Sequence, residues 1–414
     1  MKMSFLKKKE NLHGNEVGEN QAQQEKPNER NVQLVDKIIC SAVRYFASDV
    51  HIEKYAKQEI RVRIRIDGIL KLLCNLKEKD YEGVISRIKI LANMNIAERR
   101  KPQDGSFLTS VESEDIDVRV SSMPTIHGEK IVLRILNPKH FLININQLGF
   151  SKEDEKKVFL MTDIANGLIL NAGPTGCGKT TTLYSLLQRK NSEDVNIMTI
   201  EDPIEYNLRG INQIQVNEKI DLTFEAGLRA ILRQDPNIIM IGEIRDEITA
   251  STAVRAAITG HLVLSTIHTN DAVSTINRLS DMGVPSYLLA TALRGIISQR
   301  LVRNLCKECK KPYKASEYER KYLNVKHEEQ ILYKPKGCSC CNYTGFKGRK
   351  GFYEVFEITS KIREAIYLKN SYDTLLSIGL DNGLVQFSTS IRKAILQGET
   401  SVEEGIKTMH YGIN

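Results

Sequence analysis

Nine residues at positions 173–181, GPTGCGKTT, carry the clearest chemistry in the sequence. They fit G-x-x-x-x-G-K-[ST] in full: Gly173, Pro174, Thr175, Gly176, Cys177, Gly178, Lys179, Thr180 and Thr181. An apolar run at 168–171 precedes the motif, and Leu183, Leu186 and Leu187 follow it at helical spacing. That strand–loop–helix context gives the pattern its meaning. Glycines let backbone N–H groups converge on phosphate oxygens, and a helix N-terminus adds its dipole. Lys179 is expected to reach the β- and γ-phosphates, and Thr180 to ligate Mg²⁺. The motif therefore predicts a site for ATP or GTP. Cys177 reads as a small residue compatible with close phosphate approach; a redox-sensitive loop is the rival reading.

Hydrolysis would also need an acid near the metal, a group that orients water, and positive charge on the transition state. Glu201, Asp202 and Glu205 lie in TIEDPIEY, where Pro203 should end a strand. Glu243 follows the apolar run IIMI. His261 and His268 bracket HLVLSTIH, and periodicity leaves open whether each is a core residue or a functional one. In a parallel α/β sheet the C-terminal ends of the strands face one crevice, so acids gathered there are candidates for function.

A second chemistry is carried by cysteine. Cys306 and Cys309 form one C-x-x-C pair, and Cys338 and Cys341 form another, with Cys340 between them. Two such pairs suit tetrahedral Zn²⁺ better than a disulfide or a thioredoxin-like couple. A structural metal would tie the intervening insertion to the rest of the chain.

The elements that must position these groups fall into an ordered series. Residues 1–30 are polar and charged, and read as a flexible tail. Within 31–140, Val35, Ile38, Ile39 and Val43 have helical spacing, and IRVRIRI alternates before the Asp67-Gly68 turn signal. This region reads as a small α/β domain with an antiparallel sheet. A linker at 141–150 leads to 151–305, whose short apolar runs alternate with helical segments, as in a parallel sheet covered on both faces. The cysteine element spans 306–345, and a helical region is expected over 346–414, with Ser401 and Glu404 as a capping box for the last helix.

Composition limits the alternatives. The 414 residues suffice for about two to three domains, and 41% hydrophobic content is ordinary for a globular chain. Net charge is +8, yet aromatics are only 6% with no Trp, and no basic–aromatic patch points to nucleic acid. No apolar run approaches the length of a membrane span or a signal-peptide core, so a cytoplasmic location is expected.

Taken together, the segments resemble the secretion ATPase superfamily, specifically the type II secretion and type IV pilus assembly ATPases. The likeness runs in order through ASDVHIE (47–53), RIRIDG (63–68), RRKPQDG (99–105), RVSSMPTIHGEKIVLRIL (119–136), the 173–187 segment, TIEDPIEY (199–206), LRQDPNIIMIGEIRD (232–246), TGHLVLSTIHTNDA (259–272), QRLVRNLC (299–306) and the cysteines. It implies an α/β fold: a RecA-like P-loop NTPase core, a smaller PAS-like N-terminal domain and a zinc-bound C-terminal insertion. It implies a homohexameric ATPase with Mg²⁺, in which Glu205 polarises the attacking water. Glu243 acts as the Walker B acid, His268 senses the γ-phosphate, and Arg119 and Arg134 come to the nucleotide from the N-terminal domain. Asn237 stands where the family usually has aspartate. The tetracysteine element is typical of assembly motors and generally lacking in retraction motors. The implied partner is an inner-membrane platform protein, with no direct contact to nucleic acid. Rival readings are a DNA-uptake or DNA-transfer motor and an ATP-binding scaffold of the same machinery; the polar tail stands where many relatives carry a further N-terminal domain.

Overall fold

The structure is a computed structural model and describes residues 27–137 and 143–409. The chain divides into two compact units, the first ending at Ile135 except that Asp67–Ile69 and Glu112–Asp117 group with the second.

The N-terminal unit opens with α1 (Pro27–Arg44), followed by β1 (Asp49–Ala56), β2 (Glu59–Ile66), β3 (Ile69–Leu76), α2 (Glu78–Leu91), β4 (Gln103–Val111), β5 (Glu114–Thr125) and β6 (Gly128–Leu136). The six strands form one sheet in the order β3-β2-β1-β6-β5-β4. Antiparallel register sets Val50 opposite Ile64 and Leu133, and Ile52 opposite Val62 and Ile131, so one face is a continuous apolar surface. Val35, Ile38, Ile39, Val84, Ile85 and Ile88 of the two helices are buried as well. The β2–β3 turn is the one the sequence marks: Asp67 and Gly68 both have positive φ, at 47° and 85°. Most of the expected tail lies outside the described residues. Its last four positions instead begin α1, with Pro27 in the first turn, where its missing N–H costs nothing, and Arg30 paired to Asp80 at 3.0 Å.

The second unit is built on a seven-stranded sheet of order β15-β12-β7-β11-β10-β8-β9. Its strands are β7 (Gly167–Ala172), β8 (Ile197–Glu201), β9 (Asn212–Gln215), β10 (Ile238–Ile241), β11 (Leu262–Ile267), β12 (Leu293–Leu305) and β15 (Phe346–Glu357). All neighbours are parallel except β15, which runs antiparallel to β12. Between the strands come α3 (Lys152–Thr162), α4 (Lys179–Lys190), α5 (Phe224–Ile231), α6 (Glu247–Ile258), α7 (Ala272–Asp281) and α8 (Ser286–Ala292). Leu168, Leu170, Ile239, Ile241 and Val263 enter one core cluster, while Ile169, Met240, Leu262 and Leu264 enter another. Alternate residues of each strand thus face opposite layers, which is why these strands read as unbroken apolar runs. Thr223, Asp246 and Asp271 each cap a helix by accepting a backbone N–H, ending the loop that enters it.

Between β12 and β15 the chain makes an excursion with a two-stranded ribbon, β13 (Lys311–Lys314) and β14 (Ile331–Lys334), and the short helix α9 (Glu317–Leu323). The helices α10 (Ser360–Tyr367), α11 (Tyr372–Asp381), α12 (Phe387–Leu396) and α13 (Val402–Met409) close the chain. Two expectations need correction here. The region from 346 is not helical throughout: 346–357 is the edge strand β15. Its residues 351–356 are all buried, so no polar alternation marked it as a strand. The capping box at Ser401 is only half formed. Ser401 accepts the Glu404 N–H at 3.2 Å, but Arg303 takes the Glu404 carboxylate in a two-pronged pair at 2.9 and 2.6 Å.

Candidate active site and metal centre

The loop 173–178 leaves the buried end of β7, and α4 begins at Lys179. Gly173 has φ 149°, and a Cβ there would lie 2.6 Å from both Cys177 Sγ and the Gln299 carbonyl oxygen. Gly178 has φ 91°, the left-handed turn that feeds the helix. Pro174 and Gly178 are half-buried, Thr175 and Gly176 are exposed, and Thr180 and Thr181 are half-buried on the first turn of α4. Lys179 is 8% exposed and folds over the loop, donating to the carbonyls of Gly173 at 2.6 Å and Pro174 at 3.2 Å. Burial lowers its pKa, partly opposed by Cys177 and Glu243.

Two further β-strand ends point their acids and imidazole to this loop. Glu243 follows β10 after Gly242, and His268 follows β11. His268 Nε2 lies 3.5 Å from Glu243 Oε2, and Arg245 pairs with the other carboxylate oxygen. Hydroxyls of β11 hold the turn: Ser265 donates to the Ile241 carbonyl at 2.8 Å and Thr266 to that of Gly242 at 2.7 Å. Burial depresses the His268 pKa, with Lys179 acting the same way and Glu243 against it, which favours the neutral ring. Lys179, Glu243, Arg245 and His268 therefore form one electrostatic cluster.

The other sequence candidates separate. His261 sits at the opposite end of β11, where Nδ1 meets the Ala256 carbonyl at 3.0 Å. Glu201 is 3% exposed and is filled by side-chain donors, whereas Asp202 is exposed. Glu205 lies half-buried in the turn after β8. Arg119 is on β5 and Arg134 on β6 of the N-terminal unit, and Arg134 pairs with Asp49 at 3.6 Å. Asn237 precedes β10, where its Oδ1 accepts the Asn196 N–H at 2.7 Å, at the strand end away from Glu243. Cys177 is buried and its thiol pKa is raised by that burial, which argues against a reactive thiolate.

Residues the sequence reading did not single out complete the loop's support. Gln299 Oε1 accepts from Asn171 Nδ2 at 3.2 Å and from the Thr182 hydroxyl at 2.8 Å, and Asn171 also donates to the Lys179 carbonyl at 3.2 Å. Arg300 donates to the Asn270 carbonyl at 2.5 Å and lies over the Phe387 ring, 5.3 Å from its centroid. Both were visible as QR in QRLVRNLC, but only the pairing of β12 with β7 brings them under the phosphate loop.

The four cysteines of the two C-x-x-C pairs bring their sulfurs within 4.8 Å of one another. Cys306 and Cys338 are 3.9 Å apart, Cys309 and Cys341 3.8 Å, and Cys338 and Cys341 3.8 Å. Zn–S bonds of about 2.3 Å in a tetrahedron give S–S edges of about 3.8 Å. The donor set thus fits Zn²⁺ and not a disulfide. The backbone N–H groups of Cys338 and Gly345 each donate to the Cys341 sulfur at 3.2 Å, which suits a thiolate ligand. Cys340 is exposed and lies outside the cluster, 3.5 Å from Lys347 Nζ.

Fold and site together define an α/β protein with a RecA-like P-loop core, a smaller N-terminal sheet domain and a cysteine cluster of metal-site geometry. A family model described as Type II/IV secretion system protein matches residues 23–407, and the chain belongs to that family. It is 42% identical over 381 residues to the Type II secretion system protein E of Aeromonas hydrophila, covering 91% of this chain and 75% of the relative. It is 43% identical over 383 residues to the Type IV pilus assembly ATPase TfpB of Acinetobacter baylyi, covering 91% of this chain and 65% of that one. Among solved structures it is similar to the pilus retraction motor PilT with bound ADP, at TM-score 0.61 and 27% identity over 90% of this chain and 96% of that one. The ATPase DotB of Legionella pneumophila shares the fold at TM-score 0.68 and 19% identity, over 95% and 98% of the two chains.

Proposed function

We propose that this chain is an ATPase subunit of a homohexameric ring that drives assembly of a type IV pilus or a type II secretion pseudopilus. The observation that carries the enzymatic part is the convergence of Lys179, Glu243 and His268 at the loop 173–181. Lys179 exchanges its loop carbonyls for β- and γ-phosphate oxygens, while backbone N–H groups from Thr175 to Thr181 receive the remaining phosphate charge. Thr180 is the residue that would hold Mg²⁺, which would supply positive charge to the phosphates, and Glu243 would act through that ion or the γ-phosphate as the Walker B acid. Glu205 orients and polarises water, and neutral His268 donates to the γ-phosphate. Arg119 and Arg134 supply two-pronged positive charge from the N-terminal domain.

The proposed domain order is a PAS-like domain that begins with α1 and runs to residue 140, a linker (141–150), the ATPase core (151–305, joined by β15), the zinc element (306–345) and a C-terminal region that follows β15. Support for assembly over retraction comes from the cysteine cluster together with the resemblance. The ring is placed at the cytoplasmic face of the inner membrane through a platform protein, without direct nucleic-acid contact. Among the described residues no helix is long and apolar enough to cross a membrane.

Phosphate release by the purified protein tests the enzymatic reading. Glu243→Gln should retain MgATP binding and lose at least about a hundredfold in kcat. Wild-type turnover no greater than that of the variant would make the protein a nucleotide-binding scaffold.

A further inference from the structure

The turn that carries Glu205 is held from an unexpected direction. Tyr184 lies on α4, five residues beyond Lys179, and its side chain is fully buried. The hydroxyl donates to Glu201 Oε2 at 2.5 Å and accepts the backbone N–H of Glu205 at 3.3 Å. Glu201 Oε1 receives the Thr199 hydroxyl at 2.7 Å and Gln213 Nε2 at 3.0 Å, so the carboxylate is fixed by donors on both oxygens. Gln213 in turn donates to the Tyr206 carbonyl at 3.0 Å and accepts the Leu208 N–H at 2.6 Å. The phenol proton is therefore committed to Glu201, and the phenol oxygen accepts the Glu205 N–H and, at 3.5 Å, Gln213 Nε2. Burial and the charge of Glu201 push the phenol pKa up, which keeps the hydroxyl protonated.

We propose that Tyr184 is a positioning residue for ATP hydrolysis, setting the backbone of Glu205 from the helix that carries Lys179 and Thr180. The inference rests on the role proposed for Glu205. Lys179 and Tyr184 are about 7.5 Å apart along the helix axis. One rigid element thus sets both the phosphate site and the carboxylate that orients water. A loop anchored only to its own strand would lack that shared reference.

The experiment compares Tyr184→Phe, Glu205→Gln and the double variant in the full chain. Tyr184→Phe should lower kcat about tenfold and leave the KM for MgATP and the Kd of a fluorescent ADP analogue within about twofold. In the Glu205→Gln background the same change should have no further effect on kcat. Wild-type kcat in Tyr184→Phe beside a slow Glu205→Gln overturns the inference and leaves Glu205 in its role. An equal fall in both backgrounds also overturns it, because Tyr184 would then act independently of Glu205. Full activity in Glu205→Gln removes the reading of Glu205 itself, and the inference with it. Should Tyr184→Phe fail to fold, Tyr184→Phe combined with Glu201→Gln removes the phenol without leaving a buried carboxylate short of a donor. That pair should show the same tenfold fall, and wild-type kcat would overturn the inference.

Discussion

His261 and His268 flank a single apolar strand and look alike in sequence, yet one caps a helix and the other faces Glu243. The difference comes from strand direction: only the C-terminal end of a parallel strand opens on the ligand crevice. His261→Asn should therefore leave kcat within about twofold, while His268→Asn should lower it at least about tenfold. Phosphate-release assays on the two variants check the contrast, and equal losses would contradict it. The cysteines divide in the same way. Cys340→Ser should retain stoichiometric zinc, and Cys341→Ser should lose it, as measured by elemental analysis of the purified protein. The reverse result would mean that the neighbouring sulfur is the ligand. Cys177 is expected to resist alkylation, because its thiol is buried and its pKa raised; equal thiol-reagent sensitivity of wild type and Cys177→Ser is the expected outcome.

Among the elements, β15 does more than complete the edge of the sheet. It brings Glu354, 6% exposed, against the N-termini of two helices, where the carboxylate accepts the N–H of Phe387 at 3.0 Å and of Ala272 at 3.4 Å. Burial pushes its pKa from 4.5 up to about 7, with nearby Asp271 adding to the effect and Arg300 opposing it. A carboxyl whose folded pKa lies above its unfolded value favours folding most when protonated. The associated stability is complete below pH 4.5 and is lost as pH rises to about 7. Glu354→Gln keeps an acceptor for Phe387 and carries no charge. It should raise Tm relative to wild type at pH 8, by an amount equivalent to at most about 3 kcal/mol, and by much less at pH 5. Melting curves at both pH values check this, and an equal difference at the two would show that the carboxyl is not held up. This position could not be read from the sequence, because Glu354 becomes costly only when α7 and α12 close over the strand.

At the scale of the whole molecule, the cysteine cluster closes an excursion of the chain. Leu305 pairs with Phe346 at the ends of β12 and β15, and the two C-x-x-C pairs lie immediately outside that rung. Metal removal by a chelator should therefore loosen the 306–345 excursion and lower Tm, while the interior of the parallel sheet keeps its protection in hydrogen exchange. Collapse of protection throughout the sheet would show that the metal supports the core itself. The phosphate loop, the two cysteine pairs, the antiparallel and parallel textures of the two units, and the family were all legible in the linear order of residues. Each is encoded locally, as a spacing or a periodicity that a short segment must satisfy. It took the folded arrangement to show that His268 and not His261 meets Glu243, that Glu201 is saturated by donors, and that Gln299 underlies the loop from more than a hundred residues away. Those assignments depend on strand order and on which side chains become desolvated together, and a linear pattern carries neither.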